Sequence, residues 1–286
     1  MQTRTIGDRS VSAIGLGGMP MSIEGRPERN RSIATIHAAL DAGVSLIDTA
    51  DAYQRDVGEL GHNEALIAEA LASYGADTSH VLVATKGGHR RPGDGTWTLN
   101  GRPEYLKQAC EASLRSLGVE AIGLYQFHRP DPEVPYEESV SALSDLLDEG
   151  KIRLAGISNA DPEQIRTASS VLGGRLSSVQ NQFSPRFRSS EPELRLCDEL
   201  GIAFLPWSPL GGISRASELA GNHAVFAAVA DGYGVSPQQV CLAWMLAKAP
   251  TVVPIPGASR PETIRDSCAA ADLKLSTEDL ARLDRD

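Results

Sequence analysis

Four ionisable side chains, Asp48, Tyr53, Lys86 and His128, each stand at or just after the end of a short β-branched, apolar run. The runs are VSLIDTADAY over 44–53, HVLVATKGG over 80–88 and IGLYQFHRP over 122–130. A phenol with a reference pKa of about 10 donates its proton poorly at neutral pH, and a neighbouring ammonium lowers that pKa by favouring the phenolate. Lys86 is the residue expected to do this for Tyr53. At ~4 Å and an effective dielectric of ~20, such a pair interacts by about 4 kcal/mol before desolvation. A buried ammonium needs a partner to keep its proton, and Asp48, at the end of the preceding run, supplies a carboxylate. His128 adds an imidazole that can hold a carbonyl oxygen beside the phenol. Donor, pKa modifier, anchor and orienter together make a device for protonating a carbonyl oxygen while another group attacks its carbon. Singly, each residue has a plainer use: Tyr53 as packing, Asp48 as a cap, Lys86 in solvent and His128 on a rim. The plainer uses do not explain why all four fall at the ends of three successive runs.

Residues so far apart in sequence meet only if a scaffold brings those run ends to one face. A barrel of alternating strands and helices does this, since its strand ends open onto the face where catalytic groups sit. Strand-like runs occur at 12–18, 44–50, 80–86, 122–128, 152–158, 176–182, 202–207 and 251–256, eight in all. Between them the period lengthens: Leu106, Cys110, Leu114 and Leu117 repeat at three and four, as do Val140, Leu143 and Leu147. Asp161-Pro162-Glu163-Gln164 reads as an N-cap, a first-turn proline and a capping-box glutamine, and Ser236-Pro237-Gln238-Gln239 repeats the device. The expectation is an α/β fold, a closed (β/α)8 barrel forming one domain over 1–286. Three stretches exceed the minimal repeat. Residues 2–12, turning at Gly7-Asp8, predict a hairpin that plugs the barrel bottom. Residues 87–102 predict a loop over the active face, and 214–235 a short helix or two.

The 286 residues include 41% hydrophobic and 22% charged side chains, the balance of a chain with a large core. A formal net charge of −10 lacks the electrostatic footprint of a nucleic-acid binder, so any anion must be held by a local cluster. No run approaches the ~20 apolar residues of a membrane span, and the start, MQTRTIGDRS, has no signal-like stretch. A cytoplasmic protein, monomeric or a small homo-oligomer, is expected. Cys110, Cys197, Cys241 and Cys268 are far apart in helical patterns, so neither a disulfide framework nor a metal site is expected. Gly15-Leu16-Gly17-Gly18-Met19-Pro20 lacks the third glycine of a Rossmann fingerprint, and Pro20 falls in the wrong register for one.

Several segments together resemble the aldo-keto reductase family over essentially the whole chain. They are GLGGMPMS at 15–22, IDTADAY at 47–53, ATKGG at 84–88, HRPDP at 128–132, GKIRLAGISN at 150–159, VQNQ at 179–182, PWSPLGG at 206–212 and PIPGASRPE at 254–262. The resemblance implies hydride transfer from C4 of a nicotinamide to a carbonyl carbon, with Asp48, Tyr53, Lys86 and His128 as the matching tetrad. It implies that Ser158, Asn159 and Gln180 bind the nicotinamide carboxamide, that Trp207 stacks on the ring, and that Ser208, Pro209, Leu210 and Gly211 follow the pyrophosphate. Gly257, Ser259 and Arg260 match the adenosine-phosphate segment, which favours NADPH, and Asp266 and Ser267 match positions near adenine. Met19, Met21, Trp97 and Arg129 flank the first, third and fourth strand ends and are expected on the side of a small carbonyl substrate. The family's long C-terminal tail has no counterpart beyond STEDLARLDRD, so an open pocket of broad specificity is expected. Two other classes stay open from sequence: a regulatory subunit that binds cofactor with little turnover, and a barrel isomerase or lyase using Lys86 as a Schiff base.

Overall fold

The computed structural model describes residues 1–92, 94–212 and 215–286. The chain begins with the antiparallel hairpin β1 (Thr3–Ile6) and β2 (Arg9–Ser12), closed over Gly7-Asp8 with Ile6 opposite Arg9. It then alternates: β3 (Leu16–Gly17), α1 (Arg29–Asp41), β4 (Leu46–Asp48), α2 (His62–Ala72), β5 (Leu82–Gly87). A second small hairpin, β6 (His89–Arg90) and β7 (Thr98–Leu99), precedes α3 (Pro103–Leu117) and β8 (Ile122–Phe127). After these come α4 (Tyr136–Asp148), β9 (Ile152–Ser158), α5 (Pro162–Val171), β10 (Leu176–Gln180), α6 (Glu191–Leu200) and β11 (Ala203–Phe204). The rest is helical: α7 (Leu219–Asn222), α8 (Ala224–Tyr233), α9 (Pro237–Leu246), α10 (Pro261–Ala269) and α11 (Thr277–Asp284).

Seven strands form a parallel sheet in the order β3-β4-β5-β8-β9-β10-β11. The eighth expected strand is present as bridging backbone. The Phe204 amide donates to Thr251 O at 2.9 Å, and Val253 donates back to Phe204 O at 2.9 Å. On the other side the Gly15 and Gly17 amides donate to Pro254 O and Pro256 O at 2.9 and 3.0 Å. Residues 251–257 therefore close the ring, and the two prolines, which have no N–H to give, keep this segment from being a regular strand. The seam is tight: a Cβ on Gly17 would lie 2.8 Å from Ile255 O, and one on Gly257 2.8 Å from Pro20 Cγ. Gly15 and Gly17 serve this close approach, whereas Gly18 makes room for Asn63 and the Asp48 carbonyl.

Inward-facing side chains fill the ring. Ile6 and Val11 of the hairpin join Leu46, Leu82, Leu124, Leu154, Leu205 and Val253 in one buried cluster, so the hairpin plugs the barrel end opposite the strand C-termini. A larger buried layer lies between sheet and helices, centred on Phe127, Leu143, Ile165, Phe183, Phe204 and Trp244. Helix starts follow the cap residues. Asp161 and Gln164 form the full reciprocal capping box of α5. The second device is only half made. Ser236 Oγ accepts the Gln239 amide, but the Gln239 side chain donates to Asp266 Oδ1 at 2.6 Å, tying α9 to α10. Burial pushes the thiols of Cys110, Cys197 and Cys268 up to about 12, as expected of small buried hydrophobes. No helix among the described residues is long and apolar enough to cross a membrane.

Candidate active site

Strand register puts the ionisable residues together. Asp48 pairs with Ala84 across β4 and β5, so Lys86, two residues on, points to the same inner face one step nearer the mouth. Lys86 is fully buried, and its three ammonium hydrogens have three acceptors: Asp48 Oδ2 at 2.7 Å, Thr49 O at 2.8 Å and Tyr53 Oη at 3.2 Å. Tyr53 Oη therefore accepts from Lys86 and keeps its own hydrogen to donate towards the cavity it lines. Gln180 Nε2 donates to Asp48 Oδ1 at 2.7 Å, so both carboxylate oxygens are engaged. His128 follows β8, its ring edge-on to Tyr53 with centroids 5.9 Å apart.

The electrostatics differ from the expectation in one respect. Burial pushes the Tyr53 phenol above its ordinary value, and the charge of Lys86, although adjacent, does not offset that together with the repulsion of Asp48 and Asp51. The phenol is thus held protonated rather than poised near neutrality. Burial acts to lower Lys86, but the Asp48 carboxylate and the hydrogen bonds around the ammonium outweigh it, and the pKa rises. A charged, threefold-bonded amine that does not line the cavity has no lone pair to offer a carbonyl carbon, which counts against the Schiff-base alternative. Burial, reinforced by Lys86, His89 and Arg129, pushes His128 well below the usual histidine range, so its ring is neutral.

A cavity of about 570 Å³ spans the mouth. It is lined by Asp48, Tyr53, His128, Arg129, Ser158, Asn159 and Gln180, at or just after the ends of the central strands, and by Trp207, Ser208, Pro209 and Leu210 after β11. Gly257, Ser259 and Arg260 complete it before α10. Asn159 sits at φ +58°, which asparagine tolerates, and its amide donates to Ser158 Oγ at 2.9 Å and His128 O at 3.0 Å. Ser208 at φ +50° and Gly211 at φ +92° make a sharply folded loop beside the cavity. Trp207 Nε1 is buried with no hydrogen-bond partner among the described residues. Among the described residues no side chain caps helix α10, which leaves its first-turn amides to meet an anion, and Arg260 forms no salt bridge.

Three expected residues fall elsewhere. Met21 is buried beside Leu16 and Ile36 in the layer under α1, because the short helical turn at 19–21 points Met19 to the cavity and Met21 away from it. Asp266 is spent on the α9 start, accepting from Ser236 Oγ at 2.7 Å and from Gln239. Ser267 is buried on the inner side of α10. Conversely, sequence reading passed over His89, Glu24 and Arg91. His89 lines the cavity next to His128, with ring centroids 4.9 Å apart, and its place three residues after Lys86 was the available signal. The buried Arg91 guanidinium donates to Gln54 O and to Glu24, a pairing across 67 positions that carried no local signal.

The strand ends of this closed β/α barrel thus gather a buried lysine–carboxylate pair under a phenol. The Aldo/keto reductase family profile matches residues 13–285. An uncharacterized oxidoreductase of Schizosaccharomyces pombe is 34% identical over 99% of this chain and 89% of its own length. Pyridoxine 4-dehydrogenase of Escherichia coli is 32% identical over 99% of this chain and 97% of its own. Among solved structures, an aldo-keto reductase from Klebsiella pneumoniae in complex with NADPH superposes with a TM-score of 0.81 at 28% identity, covering 100% of this chain and 95% of that one. The chain belongs to the aldo/keto reductase family.

Proposed function

We propose that this barrel, acting as one domain over 1–286, reduces the carbonyl of a small aldehyde or ketone with NADPH, Tyr53 being the proton donor. The observation that carries the reading is the Tyr53 hydroxyl, which accepts from Lys86 and faces a cavity shared with His128. Bound NADPH supplies the hydride. Tyr53 gives its proton to the carbonyl oxygen as the carbon is reduced, and the neutral His128 ring fixes that oxygen beside the phenol. Lys86, held by Asp48 and Thr49 O, keeps a positive charge next to the phenolate that donation leaves behind. Asp48, fixed in turn by Gln180, orients the lysine.

The chain's residues fit the cofactor. The Trp207 ring, the folded 208–212 loop and the start of α10, uncapped among the described residues, supply a stacking face, a backbone cradle and amides along one cavity. Ser158 and Asn159 face the nicotinamide end in this reading, and Ser259 and Arg260 the 2′-phosphate. The Klebsiella relative was solved with NADPH, in keeping with that choice. The test is a panel of aldehydes and ketones followed by loss of NADPH absorbance. A protein that binds NADPH yet turns over none of them would be the regulatory alternative.

Arg260→Ala is expected to weaken NADPH binding about 10- to 100-fold, because a charge-assisted contact worth about 1.5–3 kcal/mol is lost. NADH, which has no 2′-phosphate, should be little affected. Equal weakening of both cofactors in a binding titration would make Arg260 a structural residue of the α10 start. Trp207 makes a second, optical prediction. NADP⁺ should quench tryptophan emission of the apo protein, and Trp207→Ala should remove most of that change although Trp97 and Trp244 remain. Undiminished quenching with normal turnover would move the nicotinamide elsewhere.

A further inference from the structure

On the substrate side the cavity wall is a run of aromatic rings. Tyr53 meets His128 edge-on at 5.9 Å, His128 meets His89 edge-on at 4.9 Å, and His89 meets Trp97 at 4.5 Å with planes 35° apart. The four rings lead from the proposed proton donor to the rim, and all four line the cavity. The outer end of this run reaches the surface. Trp97 is 36% exposed at the rim. It is nonetheless held. The Arg91 guanidinium sits 4.9 Å over its face, and Arg91 is itself buried, bonded to Gln54 O and Glu24. A buried arginine with two acceptors from other loops thus fixes an exposed ring beside the mouth. Burial and the charge of Arg129 push His89 down to about 4, so the imidazole between Trp97 and His128 is neutral and presents a π face, not a cation. Met19 and Ile23, a thioether and an aliphatic side chain, line the same cavity.

We propose that His89, backed by Trp97, is a specificity-determining residue that makes this pocket select planar aryl carbonyl compounds over aliphatic ones of similar reactivity. This rests on the reductase reading above and adds the substrate class. An aryl ring stacked or edge-on to such a wall gains more than its area burial alone supplies, whereas an alkyl chain gains only the area.

The experiment compares kcat/KM for 4-nitrobenzaldehyde and propanal, with NADPH, in the parent, His89→Leu and His89→Phe. Leucine keeps an apolar wall of similar size but no π system, and phenylalanine keeps the ring. The aryl-to-alkyl ratio is expected to fall about tenfold in His89→Leu and to return to within about threefold of the parent in His89→Phe. A ratio unchanged in His89→Leu, or lowered equally in both variants, overturns the assignment while leaving the reductase reading standing. A parent that reduces neither aldehyde overturns the reductase reading itself, and the inference with it.

Discussion

Replacing Tyr53 by phenylalanine is expected to reduce carbonyl turnover on the order of 10³-fold while NADPH affinity stays within about twofold of the parent. The ring remains to pack against His128, and only the hydroxyl that accepts from Lys86 and faces the cavity is lost. Single-turnover reduction and a separate cofactor titration decide the matter. A variant that works at a tenth of the parent rate or better has another proton donor. The parent's pH profile tests the same assignment from the other side. The phenol must carry its proton to donate it, and burial holds its pKa above the ordinary value of about 10 against the pull of Lys86. The rate of carbonyl reduction should therefore hold from neutral pH upward and decline only beyond that value. A decline centred at roughly pH 8 would mean that the lysine outweighs burial once the cofactor is in place.

Lys86→Met should have the largest effect on stability of any single change at the site. The methionine fills much of the same volume, but it leaves the Asp48 carboxylate buried with Gln180 as its remaining side-chain donor. Removing one partner of a buried ion pair destabilises by about 3–5 kcal/mol, on the order of 10 °C in Tm for a chain of this size. The double variant Lys86→Met/Asp48→Leu should recover much of that loss, since no charge is then left unpaired. Denaturant unfolding of the three proteins gives the answer. A loss under about 1 kcal/mol in Lys86→Met would show that water or a neighbour takes over the lysine's role, and the pair would then not be an anchor.

What could be read from the sequence and what could not divide along a physical line. The eight-strand alternation, the bottom hairpin and the gathering of Asp48, Tyr53, Lys86 and His128 at one barrel end were legible because each rests on local periodicity or on a polar residue ending an apolar run. Register then does the rest: once Asp48 lies opposite Ala84, Lys86 has to rise on the same inner face. The misplaced residues depend on what local pattern does not encode. Whether Met19 or Met21 meets the cavity is set by the phase of one short turn, and Asp266 was claimed by a glutamine from another helix. The Arg91 bonds to Gln54 and Glu24 join three loops and leave no trace in any of them alone. The direction of the Tyr53 shift was missed for a related reason. Charge neighbours can be inferred from sequence, but the extent of burial, which outweighs them here, is a property of the assembled packing.

The seam between the first strand and residues 251–257 has one further consequence. Across it Gly15 and Gly17 donate to Pro254 and Pro256, and neither proline has an N–H to give back, so this join carries fewer backbone bonds than two regular strands would make. The cavity lies directly above it, with Gly17 on one lip and Pro256 and Gly257 on the other. A molecule lying across these residues becomes a second fastening for the ring. The free energy with which it favours the shut hoop equals that with which the shut hoop favours it, so integrity of the scaffold and occupancy of its mouth are a single linked equilibrium.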